Sequence, residues 1–459
     1  MSLPMSLAYG LSKLNGYSTN YFRLELANQT TATNNGVITL NLPINSILNM
    51  KSLSWHLTGS CEDLTVGGKT VSPLLPDIGE LVQRVEIYAG GVQISSGCQN
   101  QSTIYSMKKN IYNSLDYESS YPRVLANSGL CFNSVGATAT NLKPQKFILQ
   151  NWLSFIGECE PSYIDTSLLP SVQVVLYLHG SEVLGGRTDR DTGTTDADLD
   201  AAESQALINN GRFNLKDMYF TCETISFNDG MYDAAVENRL KSEGFIDVPF
   251  TNYFTFTENH QNGNNASTRF SLSAQSINFL YALNRPQDYR TDRVGQGYLL
   301  VPNTRGNAII TPYMKFMAGL IGTQQFNVNN LYLPNYLADT LAAYQLMCQA
   351  KDDNYSQYGG SLITSQASFF NFYYTFMLRL NMPSDMGVRS LSGFDSRGLN
   401  SSMFYQTTAT NVDQTTVNVP QDPFGGTLAS PENQCETFIV AEVTSVCRIG
   451  MSRQLEIIV

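Results

Sequence analysis

The sequence is poor in charged residues. Asp, Glu, Lys and Arg make up 15% of its 459 residues, whereas about 25% is usual for soluble proteins. Uncharged polar side chains must therefore cover much of the surface, and these are less costly to remove from water than charged ones. This composition suits a protein that buries much of its surface against copies of itself.

A cationic surface is also missing. The chain has 28 Lys and Arg residues against 39 Asp and Glu residues, which gives a formal net charge of −11. No stretch is rich in Lys and Arg. Because nucleic-acid binding depends on cationic contacts with phosphates, we expect no direct, sequence-specific nucleic-acid binding.

Signals for secretion or membrane insertion are lacking as well. The N-terminal MSLPMSLAYGLSKLNGYSTN has no basic segment followed by an apolar core, so no secretory signal is expected. The apolar stretch FFNFYYTFMLRL is about half as long as a transmembrane span and contains Arg379. The eight cysteines form no C-x-x-C pair, and we expect buried thiols in a reducing compartment.

Three short motifs resemble catalytic or nucleotide-binding signatures without meeting their requirements. Asp191-Thr192-Gly193-Thr194 matches the aspartic-protease pattern, but its neighbours are charged where apolar flanks are needed. In GGKT, which begins at Gly67, the first glycine of a phosphate loop is replaced by Asp63. GFDSRG, which begins at Gly393, lacks the spacing of a nucleophile elbow. We expect turns at the last two.

Histidines are too few and too scattered for a metal centre. The three are His56, His179 and His260, each in a different segment, whereas a histidine metal site on a sheet needs them clustered on neighbouring strands. The sequence therefore predicts no catalytic, cofactor-binding or metal-binding residue, and no cofactor.

The chain does contain an internal repeat. NYFRLELAN begins at Asn20 and NYFTFTEN begins at Asn252, 232 residues later. Further matches at this spacing are the triplet Ile38, Leu40, Leu42 with Phe270, Leu272, Ala274; the hairpin glycines Gly90 and Gly91 with Gly322; helical stretches from Asn100 and Tyr332; and strand ends at Phe227 and Val459. Five matches at one spacing indicate a tandem duplication.

Short strands with alternating apolar residues dominate both copies. Only one or two helices interrupt each set, which excludes a parallel βαβ architecture and leaves an antiparallel sandwich or jelly roll. The last twelve residues, RIGMSRQLEIIV, alternate in the same way and predict a final strand that closes the second copy. Long connections rich in Gly, Asn and Asp are expected to be functional surfaces; they span residues 115–145, 183–211, 351–366 and 407–434.

These features predict a division of the chain into four parts. Residues 1–19 form an N-terminal arm, and residues 20–228 form the first jelly roll. Residues 229–244 form a connecting helix, with Asp229 as its N-cap and Gly244 just beyond its end. Residues 245–459 form the second jelly roll.

Two segments carry a resemblance to a known family. LPDIGELVQRVEIYAGGVQI contains the first hairpin, and LKDMYFTCETISFNDGMYDAAVENRL leads through the connecting helix into IDVPFTNYFTF. With its tandem copies, the chain from about Asn20 to Val459 resembles the double jelly-roll major capsid proteins of icosahedral double-stranded DNA viruses. That lineage includes adenovirus hexon, nucleocytoplasmic large DNA viruses, virophages and polinton-like viruses. The similarity is one of architecture rather than of an invariant motif.

The resemblance implies a structural role without catalysis. Three copies would form a pseudo-hexameric capsomer that tiles an icosahedral shell. The implied partners are copies of the chain in the same and in neighbouring capsomers, with penton and minor or cement capsid proteins. The implied location is the virion, assembled inside the host cell, and the presence of a membrane beneath the shell stays open.

Two other function classes fit the sequence less well. A tandem jelly-roll carbohydrate-binding protein, such as a lectin or adhesin, would use Tyr-rich loops such as DNYSQYGG, but it would need a secretion signal. A hydrolase on a β-sandwich would need paired carboxylates at a recognisable spacing.

Overall fold

The structure of the chain is a computed structural model. It describes residues 17–95, 98–112, 145–188, 201–227, 231–261, 264–286, 300–301, 308–309, 316, 318, 321–328, 330–351, 369, 374–382, 391–397, 402–409 and 434–459. Asp191 and Asp229, and the loop DNYSQYGG, lie outside these residues.

In the described parts of the chain, twenty-four strands alternate with few helices. The strands of the first half are β1 (Tyr17–Leu24), β2 (Ala32–Thr33), β3 (Val37–Asn41), β4 (Ile47–Cys61), β5 (Leu64–Val66), β6 (Lys69–Leu74), β7 (Val82–Ala89), β8 (Val92–Ser95), β9 (Gln145–Leu149), β10 (Tyr163–Asp165), β11 (Val172–Leu178), β12 (Gly185–Thr188) and β13 (Phe213–Phe227). Those of the second half are β14 (Phe245–Gln261), β15 (Ala266–Phe270), β16 (Ile277–Pro286), β17 (Leu300–Val301), β18 (Ala308–Ile309), β19 (Ile321–Val328), β20 (Leu331–Ala338), β21 (Phe376–Arg379), β22 (Met403–Ala409), β23 (Gln434–Gly450) and β24 (Leu455–Ile458).

Six α-helices are described between these strands. They are α1 (Ile78–Leu81), α2 (Gln101–Tyr112), α3 (Ser154–Glu158), α4 (Ala201–Asn210), α5 (Met231–Glu243) and α6 (Thr340–Lys351). Helix α5 lies between the two halves and ends before Gly244, whose φ of +82° suits glycine.

Each half folds into two antiparallel sheets. In the first half, sheet A has the order β1-β13-β4-β10 and sheet B has the order β3-β11-β7-β8. In the second half, sheet D has the order β14-β23-β16-β21 and sheet E has the order β15-β22-β19-β20. In each half the first strand, β1 or β14, therefore pairs with the last long strand, β13 or β23. That long strand pairs on its other side with β4 or β16. This order is typical of a jelly roll. The prediction of two tandem antiparallel jelly rolls with short helical insertions is confirmed.

A fifth sheet, sheet C, links insertions from both halves. Its order is β17-β18-β12-β6-β5, so β12 of the first half pairs with β18 of the second through Gly186 and Ile309. The excursion predicted over residues 183–211 thus contains a strand and helix α4. The sequence pattern missed them because neither has a strongly alternating or amphipathic composition.

Aromatic side chains fill the space between the paired sheets. In the first half the rings of Trp55 and Phe220 stack with centroids 6.2 Å apart. In the second half the ring of Phe326 contacts those of Phe376 and Tyr405, at 5.5 and 5.1 Å. All five side chains are fully buried, and burial of such large apolar surfaces is the main force that holds each pair of sheets together.

The repeat spacing of 232 residues is correct for the first strand of each copy and wrong further along. Strands β7 and β8 and helix α2 match β19, β20 and α6 at a spacing of 239. Gly322 therefore lies within β19, and the turn that matches Gly90 and Gly91 precedes β20 at Asn330, whose φ is +67°. The second copy therefore has seven more residues than the first between its first strand and β19. A search at one fixed spacing cannot detect such an insertion.

The predicted helix of the second copy also begins later than its sequence suggested. Residues from Pro334 to Ala338 continue strand β20, and α6 begins at Thr340. Asp339 caps the helix, because its Oδ1 accepts a hydrogen bond of 2.7 Å from the Ala342 N–H. Leu337, expected on the helix, is an exposed strand residue.

The last twelve residues are not one strand. Strand β23 ends at Gly450, a 3-10 turn covers Met451–Arg453, and β24 pairs back onto β23 with Val446 opposite Ile458. The counterpart of β13 is therefore β23, and β24 is an additional edge strand. Apolar residues alternate through the turn at Met451–Arg453 because β23 and β24 direct their apolar side chains to the same face of the sheet. The apolar pattern alone therefore does not show that the chain reverses there.

Candidate functional site

The two jelly rolls meet at a joint between helices of the first and sheet D of the second. Cys159 and Phe250 form an antiparallel bridge, and the Glu160 N–H donates to the Pro249 carbonyl at 2.9 Å. The rings of Phe155 and Phe250 lie edge to face with centroids 5.4 Å apart. Backbone pairing and an aromatic contact thus fix α3 against β14.

An ion pair lies at the centre of this joint. Lys108 of α2 donates to Glu442 of β23 over 2.5 Å, and the Tyr281 hydroxyl donates to the same carboxylate oxygen over 2.8 Å. The Lys108 ammonium also lies 5.2 and 5.7 Å from the ring centroids of Tyr253 and Tyr281, close enough for cation–π attraction. The Lys108 contacts connect the first jelly roll to the second, and the Tyr281 hydrogen bond holds Glu442 in place within the second.

A second carboxylate shares this buried lysine. The Tyr253 hydroxyl donates to both oxygens of Glu158 at 2.7 Å. Burial raises the pKa of Glu158, Lys108 opposes the increase, and the neighbouring Glu442 adds to it. Two carboxylates around one ammonium leave the joint with an excess negative charge, so a proton on Glu158 relieves repulsion there.

A similar cluster anchors α2 within the first jelly roll. The Lys109 ammonium lies 3.2 Å from Asp77 and 2.9 Å from Glu80. Tyr105 and Ser106 donate to the same two carboxylates. Burial raises the pKa of Asp77, and Lys109 opposes that increase. These contacts fix the orientation of α2, and therefore the position of Lys108.

A cavity of about 390 Å³ opens beside the joint. Its lining includes Lys51, Lys108, Lys109, Trp152 and Glu158. Two of its three lysines are already paired with carboxylates. The third, Lys51, is exposed.

The outer face of sheet A is the counterpart of the sheet D face that the joint covers. In β1, Tyr21 lies opposite Glu223 of β13, and in β14, Tyr253 lies opposite Glu442 of β23. Tyr21 is 79% exposed, whereas Tyr253 is fully buried. The same tyrosine–glutamate arrangement thus occurs twice, once covered and once facing solvent.

Exposed apolar side chains also cluster at β20 and the start of α6. Tyr336, Leu337 and Leu341 are 50%, 63% and 55% exposed. Strand β20 is an edge of sheet E. Exposed apolar groups on an edge strand are typical of an interaction surface.

The histidines occupy separate structural positions. His56 of β4 stacks on Tyr219, and burial, together with nearby Arg23, lowers its pKa. His260 of β14 is hydrogen-bonded with Thr437, and burial lowers its pKa. His179, after β11, lies 2.9 Å from Glu182; although burial opposes the change, the hydrogen bond with His179 lowers the pKa of Glu182 to about 2.

The first glycine-containing motif forms a turn, as the sequence predicts. Gly67 and Gly68, with φ of +56° and +80°, connect the paired strands β5 and β6. In the stretch after Gly393, Phe394 forms an isolated antiparallel bridge with Ile277, and Arg397 donates to Asp395. Within the described residues no group of three or more His, Cys, Asp or Glu side chains could hold a metal ion. Among the described helices, none is long and apolar enough to cross a membrane.

The joint was not predicted from the sequence. Its lysine and its two glutamates lie up to 334 residues apart, and a single charge in a strand or helix carries no signal for a distant partner. The one available sign was Lys108-Lys109 on a helix with an otherwise buried surface. For the exposed face of sheet A, the one sign in the sequence was the Asn-Tyr-Phe that begins at Asn20 and recurs at Asn252.

Comparison with known proteins identifies the fold. No family model and no curated protein sequence matches the chain. Among solved structures, PBCV-1 VP54 fitted into a reconstruction of the virophage Sputnik has a TM-score of 0.59 and 11% identity, over 97% of each chain. The Faustovirus major capsid protein has a TM-score of 0.56 and 10% identity, over 96% of this chain and 92% of that one. A chain of the Sputnik virophage has a TM-score of 0.52 and 12% identity, over 97% and 89%. The chain shares its fold with these proteins over almost its whole length.

Proposed function

We propose that the chain is a major capsid protein, the structural subunit of an icosahedral viral shell, and that it acts without catalysis. The observation that carries this proposal is the pair of jelly rolls with the same strand order, matched over 97% of both chains by a viral capsid structure. Its location would be the capsid of a virion assembled inside the host cell.

The joint between the jelly rolls explains how such a subunit would work. Backbone pairing and a buried ion pair connect the two jelly rolls, so they would act as one block. Three such blocks in a ring would present six similar lobes, and this pseudo-hexameric outline can tile a surface. A closed ring also leaves no unpaired interface between its own subunits.

The subunit division belongs to the same proposal. Residues 20–228 and 245–459 would be the two lobes, residues 229–244 the connection, and residues 1–19 an arm toward neighbours. Beyond the homotrimer, the partners would be neighbouring capsomers, together with penton and minor or cement proteins. Protein composition of purified particles tests those last partners.

Native mass spectrometry of the purified chain is the first test. A stable species of three times the 50.8 kDa chain mass supports the proposal. A monomer that binds sugars on a glycan array contradicts it and favours the carbohydrate-binding alternative. Negatively stained particles from concentrated trimer would then show whether the trimers form shells.

A further inference from the structure

The joint within the chain connects unlike faces of the two jelly rolls. The first contributes the segment before α2, with α2 and α3, and the second contributes the outer face of sheet D. Because both jelly rolls have the same fold, each has both kinds of face. Among the described residues, one face of each kind is therefore left without a partner: the outer face of sheet A, and the surface formed by the end of β20 and the start of α6.

Two residue correspondences connect the covered faces with the uncovered ones. Strands β1 and β14 match at a spacing of 232, which places Tyr21 with Tyr253 and Arg23 with Thr255. Helices α2 and α6 match at a spacing of 239 in both of their ends. Asn100, directly before α2, therefore corresponds to Asp339, directly before α6.

The uncovered faces carry the exposed apolar groups expected of a contact surface. The β20–α6 surface, defined by Tyr336, Leu337, Asp339 and Leu341, is exposed at all four residues. On the outer face of sheet A, Tyr21 is exposed although its counterpart Tyr253 is buried in the joint. A sheet face that is covered in one copy and open in the other indicates a missing partner of the same shape.

At the two uncovered positions that correspond to Asn100 and Thr255, the polar residues are opposite in charge. Within the chain, Asn100 donates to the Thr255 hydroxyl at 2.9 Å. At the corresponding uncovered positions stand Asp339, an anion, and Arg23, a cation. The Asp339 cap uses one carboxylate oxygen. Arg23 pairs through Nε with exposed Glu25, just after β1, and its guanidinium lies 4.1 Å from the centroid of the Tyr219 ring. The Arg23 side chain is still 59% exposed, so both groups can take a further partner.

We propose that the β20–α6 surface of one copy packs on the outer face of sheet A of a second copy, with Asp339 beside Arg23. This inference rests on the proposed self-association and specifies its contact residues. The contact repeats the joint within the chain and is head-to-tail. Because such a contact joins unlike faces, each copy can bind two neighbours, and a rotation of 120° between copies would close the series into a ring of three.

Charge reversal tests the ion pair. Arg23→Asp should weaken association of the chain by about tenfold or more, since two carboxylates would then face each other. Asp339→Asn should weaken it less, because asparagine still caps α6. Arg23→Asp combined with Asp339→Arg should recover association relative to Arg23→Asp alone. The matched control is Arg269→Asp, which reverses an exposed arginine on β15, at the other edge of sheet E from β20.

Disulfide trapping tests the proximity. A variant carrying Arg23→Cys and Asp339→Cys should, after oxidation, give linked dimers and trimers on a non-reducing denaturing gel. Each single-cysteine variant should not, which controls for the native cysteines.

The outcomes separate this inference from the proposed function. A wild-type trimer that Arg23→Asp and Asp339→Asn leave intact, with a cross-linked product of one-chain mass only, overturns the assigned contact and leaves the capsid role standing. A wild-type monomer at assembly concentrations overturns the proposed function itself.

Discussion

Replacement of Lys108 by methionine is the sharpest test of the joint between the jelly rolls. Methionine has a similar length and keeps the apolar packing, so the change mainly removes the ammonium group. The Lys108 and Glu442 side chains are only 17% and 11% exposed. Lys108→Met therefore leaves the Glu442 carboxylate buried without its cation, and Glu158 beside it.

The expected cost follows from the geometry of the pair. Charges 2.5 Å apart attract by about 7 kcal/mol at an effective dielectric constant of about 20. The cost of dehydrating both groups offsets part of this attraction. Removal of one partner from a buried pair usually costs about 3–5 kcal/mol. Because a second carboxylate is left behind, we expect the upper part of that range for the free energy of unfolding.

Urea unfolding followed by tryptophan fluorescence measures this cost, at a fixed protein concentration. The only two tryptophans, Trp55 and Trp152, lie in the first jelly roll, and Trp152 lines the cavity beside the joint. Lys51→Met is the control, because Lys51 lines the same cavity but is exposed; it should change stability by less than about 0.5 kcal/mol. If Lys108→Met were as mild as Lys51→Met, the joint would not depend on the ion pair.

Three further predictions concern single side chains. Burial raises the pKa of Glu158, so its charge costs stability as pH rises through that pKa, and Glu158→Gln should stabilise the chain at pH 8 but not at pH 4 in urea unfolding. The pKa of Glu182 is lowered to about 2, although burial opposes this change. The ionised Glu182 side chain therefore contributes stability that is fully present above about pH 4.5. Thermal unfolding should therefore show that Glu182→Gln destabilises at pH 7 and that the difference shrinks toward pH 2; a constant difference would refute the linkage. Gly90 and Gly91 both have positive φ, but a Cβ on Gly90 would lie 2.6 Å from the Pro170 side chain, whereas Gly91 faces open space. Gly90→Ala should lower the urea midpoint more than Gly91→Ala, and equal effects would show that the backbone conformation alone matters.

The strand content and the duplication could be predicted because both depend on local sequence patterns. Alternating residues such as Ile38 and Leu40 specify a sheet face without reference to any distant residue. The spacing between copies was less predictable, because insertions between β16 and β19 change it from 232 to 239. The reversal at Met451–Arg453 was concealed because strands on both sides of the turn place apolar groups toward the same core.

The joint lay beyond sequence reasoning for a different reason. Whether Glu442 is a solvated surface charge or a buried partner of Lys108 depends on which strand of sheet D is covered, and this is a property of the packed chain. The pattern around Glu442, in FIVAEVTSV, is apolar on both sides, which indicates a strand covered on both faces. It does not indicate what covers it.

The polar groups at the two kinds of joint differ in a way that favours alternation of the jelly rolls. Within the chain, the helix side supplies a cation, Lys108, and the sheet supplies an anion. In the proposed contact between chains, the helix side supplies the anion Asp339 and the sheet supplies the cation Arg23. Sheet D is already covered by α2 and α3 of its own chain, so the β20–α6 surface would meet sheet A of a neighbour. The proposed contact would then give the order first, second, first, second around a ring.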